Sequence, residues 1–255
     1  MKGVLFFLLV LLVAATSCGS DEEDEIVVFT AASLTEVMEQ LGLYFTESEG
    51  IKVRFNPGGS TSLAQKIIRG APADAFVFAG PQPMAMLDER GLIVTDSTLE
   101  LLVNELVLVA RSSTADEIEV SSIEEMGDAG LRVAIADPDL APAGRYARES
   151  LQNLGLWQRL EHGLVFGLDV RVTLGYVETG NVDAAIVYRT DAQIVEGLEV
   201  LASIPKGSHS PIVYPAGAVV RSSRVEEVGE FLRFLQGDKA KETFQEYGFI
   251  PHNGD

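Results

Sequence analysis

The stretch Ile26-Val27-Val28-Phe29-Thr30-Ala31-Ala32-Ser33-Leu34-Thr35-Glu36 decides the fold class. Its first four residues are apolar and mostly β-branched, as in a buried strand. From residue 34 the apolar positions recur at helical spacing as far as residue 45. A strand that passes directly into a helix is half of a βα unit, and the pattern returns downstream. Strands are expected at 52–55 and 75–78, with helices at 63–69 and 83–90, the second ended by Gly91. Beyond these, strands are expected at 106–109, 133–135, 184–187, 200–203 and 218–220, and helices at 144–154, 170–178, 225–236 and 238–247. Such alternation predicts an α/β chain with mostly parallel sheets and helices on both faces. No period of about 20–50 residues recurs, which excludes a solenoid.

In open parallel sheets, ligands sit at the carboxyl ends of strands, where loops meet helix N-termini. Five such junctions are rich in small polar groups. Ser33 follows the first strand and, with Glu36, also has the spacing of a capping box. Pro57-Gly58-Gly59-Ser60-Thr61-Ser62 follows the second; its glycines allow a tight turn with outward amides, and three hydroxyls then open a helix. A cap by Ser60 or Ser62 with Gln65 is the plainer reading of that loop. It lacks the lysine of a nucleotide P-loop, so a small anion fits it better than a nucleoside triphosphate. At the third junction Pro142 suits a first helical turn, placing the amides of Ala143 and Gly144 at its open end. Asp169 is a plausible N-cap beside the Val170 amide. Tyr188, at the end of the strand 184–187, puts a phenol on the same rim or in the core.

Composition narrows the function classes. The 255 residues are 47% hydrophobic and 22% charged, an ordinary globular balance. Nineteen Lys and Arg against 38 Asp and Glu give a net charge of −19, which leaves no basic surface for a nucleic acid. One cysteine cannot close an internal disulfide, and His162, His209 and His252 are too scattered for a zinc site by spacing. Gly58-Gly59-Ser60-Thr61-Ser62 is not the Gly-x-Ser-x-Gly turn of a serine hydrolase, and no base falls in a triad pattern, so an enzyme is not expected.

The N-terminus reads as an address. MKGVLFFLLVLLVAATSC carries one lysine, an apolar run of about a dozen residues, then small residues before the sole cysteine. That run is shorter than the ~20 residues of a membrane span. Residues 1–17 are expected to be a signal peptide. Cys18 would be the lipidated first residue, and 18–25 an acidic tether. The expected location is the periplasm or cell surface, with membrane contact through the lipid alone.

These residues together resemble the periplasmic molybdate-binding proteins of ABC importers. The resemblance is carried by Ala-Ala-Ser-Leu-Thr (31–35), Leu-Ala-Gln-Lys-Ile (63–67), Gly-Ala-Pro-Ala-Asp (70–74), Pro-Ala-Gly-Arg-Tyr-Ala (142–147), Asp-Val-Arg (169–171), Ile-Val-Tyr (186–188) and Tyr-Gly-Phe (247–249), in order along nearly the whole chain. It implies a two-lobed periplasmic binding protein fold of type II with a ligand cleft between the lobes. Lobe one would be 26–107 plus 214–255, lobe two 108–213, with crossovers at 106–109 and 218–220. The family's contacts to molybdate or tungstate fall on Ser33, Ser60, Ala143, Val170 and Tyr188, and Thr61 or Ser62 could share the work of Ser60. The resemblance further implies delivery to an ABC permease, no cofactor, no metal-cation ligands and a monomer. Binding of sulfate or phosphate on the same architecture is the alternative. A pure interaction module would leave the five junctions unexplained.

Each helix N-terminus carries the equivalent of roughly half a positive charge, so four of them, at Ser33, Ser60, Ala143 and Val170, would offset a dianion without a cationic side chain. Arg145 and Arg171 adjoin the site in sequence, but one helical step turns ~100° away. Both are expected to pair with nearby carboxylates.

Overall fold

The computed structural model describes residues 25–252. The expected signal peptide at 1–17, Cys18 and the tether up to residue 24 lie outside the described residues. Among the described residues the strands are β1 (Glu25–Ala31), β2 (Lys52–Gly58), β3 (Ala75–Val77), β4 (Leu99–Asn104), β5 (Leu106–Arg111), β6 (Val133–Ala136), β7 (Val165–Gly167), β8 (Ala184–Tyr188), β9 (Leu198–Ser203), β10 (Ile212–Ala218) and β11 (Ile250–Pro251). They form two sheets, β11-β4-β10-β3-β1-β2 and β7-β6-β8-β5-β9.

Side-chain alternation along β1 and β3 shows why helices cover both faces of the first sheet. Val28, Ala75 and Val77 join one apolar cluster with Val37, Leu41 and Phe45 of the helix that follows β1. Phe29 and Phe76 point the other way, into a second cluster with Leu63 and Ile67 of the helix Ser60–Ile68 and Leu87 of the helix Pro81–Asp88. A period of two on the strands thus requires a helix on each side.

The sheets are mixed rather than mostly parallel. β1 pairs in parallel with β2 and β3, and β6 with β7 and β8. β10 runs antiparallel to β3 and β4, β11 to β4, and β5 to β8 and β9. The reason lies in the crossings between sheets. The chain leaves the first sheet along β4 and enters the second along β5 with only Glu105 between them, and the strand that later returns to the first sheet, β10, runs opposite to β4. The chain comes back between β9 and β10 through the single turn Lys206–Ser208. Leu106 and Val107, expected in lobe one, therefore lie in the second sheet, and Ile212 and Val213, expected in lobe two, in the first. The strand expected at 218–220 is Ile212–Ala218, while Val219 makes only an isolated bridge to Ile93.

Glu105 ties the two crossings together. Its carboxylate meets Lys206 Nζ at 2.6 Å and Arg189 Nε at 2.9 Å, and these two cations hold it below the usual carboxylate range.

A second charged group joins the lobes farther out. Arg171, on the helix Val170–Glu178 of the second lobe, pairs with Glu36 on the helix Thr35–Glu49 of the first. Its Nε also lies 3.0 Å from Oδ1 of Asp191, which is fully buried. Burial pushes the Asp191 carboxyl from 3.8 up to about 7, against the pull of the Arg171 guanidinium. Between those values the folded chain keeps a proton that the unfolded chain has lost, so this group's contribution to stability falls as pH rises through the window. Asp191→Asn mimics the protonated form. Melting curves recorded from mildly acidic to mildly alkaline pH are therefore expected to show the unsubstituted chain losing ground to Asp191→Asn as pH rises; a gap independent of pH would contradict this.

Candidate functional site

The five junctions converge where the two lobes face each other. Around one cavity the first lobe supplies Ala31, Ala32 and Ser33, then Gly58, Gly59 and Ser60, and Ala79. The second supplies Ala141, Pro142 and Ala143, then Asp169, Val170 and Tyr188. The space free of atoms is about 200 Å³ even with its mouth included. Organic ligands occupy pockets of about 300–1,000 Å³, so this one suits a small ion.

Each residue owes its place to a local feature of the chain. β1 ends at Ala31 and passes through the single 3₁₀ turn Ala32–Leu34 before the helix Thr35–Glu49 begins. Ser33, in that turn, is buried, and its Oγ lies 3.1 Å from the hydroxyl of Tyr214. It caps no helix, and Glu36 is engaged by Arg171, so the capping box suggested by the sequence does not form. Gly59 caps the helix Ser60–Ile68 with no side chain of its own. Ser60 accepts from the Ala79 amide at 3.0 Å instead of capping. Thr61 and Ser62 are not among the cavity's lining residues; the Ser62 amide donates across the cleft to the Leu140 carbonyl at 3.0 Å.

In the second lobe Pro142 opens the helix Pro142–Asn153, whose first-turn amides at Ala143 and Gly144 have no intrahelical acceptor. Gly144 is required by proximity: a Cβ there would stand 1.8 Å from the Ala136 carbonyl oxygen. Asp169 caps the helix Val170–Glu178 by accepting from the amides of Arg171 and Val172 at 2.9 and 3.0 Å. The Val170 amide, at the first helical position, is left over. Tyr188 ends β8, is buried, and its hydroxyl has no hydrogen-bond partner among the described residues.

This lining carries three hydroxyls, on Ser33, Ser60 and Tyr188. Its one carboxylate, on Asp169, is occupied at the helix cap, and no Lys, Arg or His belongs to it. Burial raises the phenol of Tyr188 well above its ordinary range, with Tyr214 next door adding to the effect, so Tyr188 keeps its proton and can donate it. Burial likewise pushes Tyr146 up to about 12 and Tyr214 higher still. Neither arginine singled out in the sequence lines the cavity. Arg171 pairs with carboxylates as expected, whereas Arg145 lies over the Tyr146 ring, 5.6 Å from its centroid. The serines have no base beside them for nucleophilic work. Among the described residues no cluster of His, Cys, Asp and Glu could hold a metal ion.

Two polar residues behind the site carried no sequence signal. Tyr214 on β10 reaches Ser33, and Asn104 at the end of β4 reaches Tyr214 at 3.1 Å, across 181 and 110 residues of chain respectively. Only the sheet order makes them neighbours.

Comparison with known proteins agrees with this architecture. The chain is 37% identical over 228 residues to the molybdate-binding protein ModA of Escherichia coli (strain K12), covering 88% of each chain. It is 36% identical over 225 residues to the putative ABC transporter substrate-binding lipoprotein YvgL of Bacillus subtilis (strain 168), covering 88% of this chain and 85% of that one. Among solved structures it superposes on the substrate binding domain of a putative molybdenum ABC transporter from Clostridium difficile with a TM-score of 0.69 and 33% identity, over 90% of this chain and 99% of that one. The model of the family described as bacterial extracellular solute-binding protein matches residues 26–250, and with two lobes around a small cleft rich in donors, the chain belongs to that family.

Proposed function

We propose that this protein binds molybdate, and tungstate with it, outside the cytoplasm and delivers it to an ABC permease. The observation that carries this reading is the lining itself: a small cavity between two lobes, with hydroxyls and helix N-terminal amides from both sides and no cationic side chain. In the proposed complex Ser33 and Ser60 donate from the first lobe, and the amides of Ala143 and Val170 with the Tyr188 hydroxyl donate from the second. Thr61 and Ser62 act only by shaping the loop. No cofactor takes part. The ligand is a fully deprotonated tetrahedral dianion, since no Asp or Glu carboxylate of the lining is free to accept a ligand proton, and the cavity's size selects the larger oxyanions over sulfate. Cys18 carries the lipid that keeps the monomer at the membrane surface. The names of the relatives, two of them tied to molybdate or molybdenum transport and one to a lipoprotein, support this reading.

Because the donors are divided between lobes, the ion binds the closed form more tightly than the open one and draws the equilibrium toward closure. Gly59 gives a handle on that motion. Its backbone dihedrals, −62° and 120°, suit any residue, yet a Cβ would stand 2.6 Å from the Leu140 carbonyl oxygen and 3.1 Å from that of Leu168, both in the opposite lobe. Gly59→Ala is expected to fold with a melting temperature close to that of the unsubstituted chain, and to remain extended by small-angle scattering when molybdate is added. Normal compaction in that variant would contradict the closure described.

The direct test is a thermal-shift titration with molybdate, tungstate, sulfate and phosphate. A ligand at 100 times its Kd adds about 2.7 kcal/mol, worth roughly 5–10 °C in a chain of this size. Molybdate and tungstate are expected to shift the transition and sulfate and phosphate to leave it in place. A shift with sulfate or phosphate alone would transfer the assignment to that anion. Ser60→Ala removes one neutral donor to a charged ligand, and calorimetry should show molybdate affinity about 10- to 100-fold weaker.

A further inference from the structure

The Ser33 and Tyr214 hydroxyls are 3.1 Å apart and both buried, and distance alone does not say which one donates. Asn104 decides it. Its Oδ1 accepts from the Glu105 amide at 2.8 Å, which orients the side-chain amide. Its Nδ2 then faces two oxygens, Tyr214 Oη at 3.1 Å and Thr190 Oγ1 at 3.0 Å. The Tyr214 oxygen thus receives a proton from Asn104 and has its own to give. If Ser33 were the donor, the Tyr214 proton would be left in a fully buried position with no acceptor in either of its contacts, Ser33 and Asn104, a costly arrangement. Tyr214 therefore donates, Ser33 Oγ accepts, and the Ser33 proton is left for the cavity that Ser33 lines. Ser60 is polarised in the same sense by the Ala79 amide.

We infer that Tyr214, held by Asn104, is a specificity-determining residue of the anion site: it fixes the Ser33 hydroxyl as a donor and so rejects oxyanions that present a proton there. Tyr214 does not line the cavity and acts through Ser33, as a positioning residue. With Phe at this position the Ser33 hydroxyl can rotate and accept from a protonated ligand oxygen, so discrimination against hydrogen phosphate weakens. The inference rests on the oxyanion reading above and adds to it the origin of the preference for an unprotonated ion.

The test is calorimetric titration of the full chain near neutral pH with molybdate and with inorganic phosphate, which keeps at least one proton there. Tyr214→Phe is expected to bind molybdate roughly tenfold more weakly while phosphate binding stays level or tightens, so the ratio of the two affinities falls about tenfold. In a Ser33→Ala background the same substitution should change nothing further. Asn104→Asp replaces the donor with an acceptor that draws the Tyr214 proton away from Ser33, and should lower the ratio in the same direction. That second variant carries the test if Tyr214→Phe fails to fold by circular dichroism. An unchanged ratio, an equal loss for both anions, or full additivity with Ser33→Ala overturns the role given to Tyr214 while leaving the oxyanion reading standing. An unsubstituted chain that binds neither anion overturns both.

Discussion

An anion that leaves water must be met by donors already in position, because reorienting dipoles at the moment of binding costs free energy that solvent does not return. Here the donors are fixed by secondary structure. The amides of Ala143 and Val170 have no intrahelical acceptor because a helix begins there, Ser60 accepts from the Ala79 amide and keeps its proton, and the role inferred for Tyr214 gives Ser33 the same polarity. The remaining features serve that arrangement. Asp169 could have repelled an anion, but its carboxylate is engaged by the amides of Arg171 and Val172, which leaves the Val170 amide as the group without a partner.

The charged side chains around this site are engaged with other groups of the chain. The cations nearest in sequence are neutralised or stacked elsewhere, Arg171 between Glu36 and Asp191 and Arg145 over Tyr146. The crossings obey the same logic. Glu105 pairs with Lys206 and Arg189 at the waist, while Asn104 one residue earlier faces inward to Tyr214 and Thr190. The crossing between sheets and the residues behind the cavity are thereby neighbours in one short segment.

Much of this was legible in the sequence because junctions are local. A β-branched run followed by small hydroxyls, or a proline at the start of a helix, marks a strand end and a helix start within a few residues, and the five positions singled out there line one cavity. What was not legible is what depends on sheet order. β4 was not expected at all, because its short run carries Glu100 and ends at Asn104 and Glu105, and only the apolar run that follows read as a strand. β10 was displaced because Pro215 and Gly217 weaken its strand signal; the proline is tolerated at an irregularity in pairing with β4, after Tyr214. Ser33 and Ser60 carried cap signals that the fold does not use, since Tyr214 and Ala79, remote in sequence, claim their oxygens. The partnership of Tyr214 with Asn104 has no sequence signature.

Gly144 sets a length scale. With its α-carbon pressed against the Ala136 carbonyl, the helix Pro142–Asn153 can sit no nearer to β6 and has no side chain to stand it off, so the Ala143 amide lies at a depth fixed by backbone contact. Side-chain exchange around such a cavity can delete a donor but cannot shift this one. A descendant that carried a smaller or larger ion would have to move whole helices against their sheets, and its ancestry in ion choice would be recorded in packing distances rather than in the identity of the residues that touch the ion.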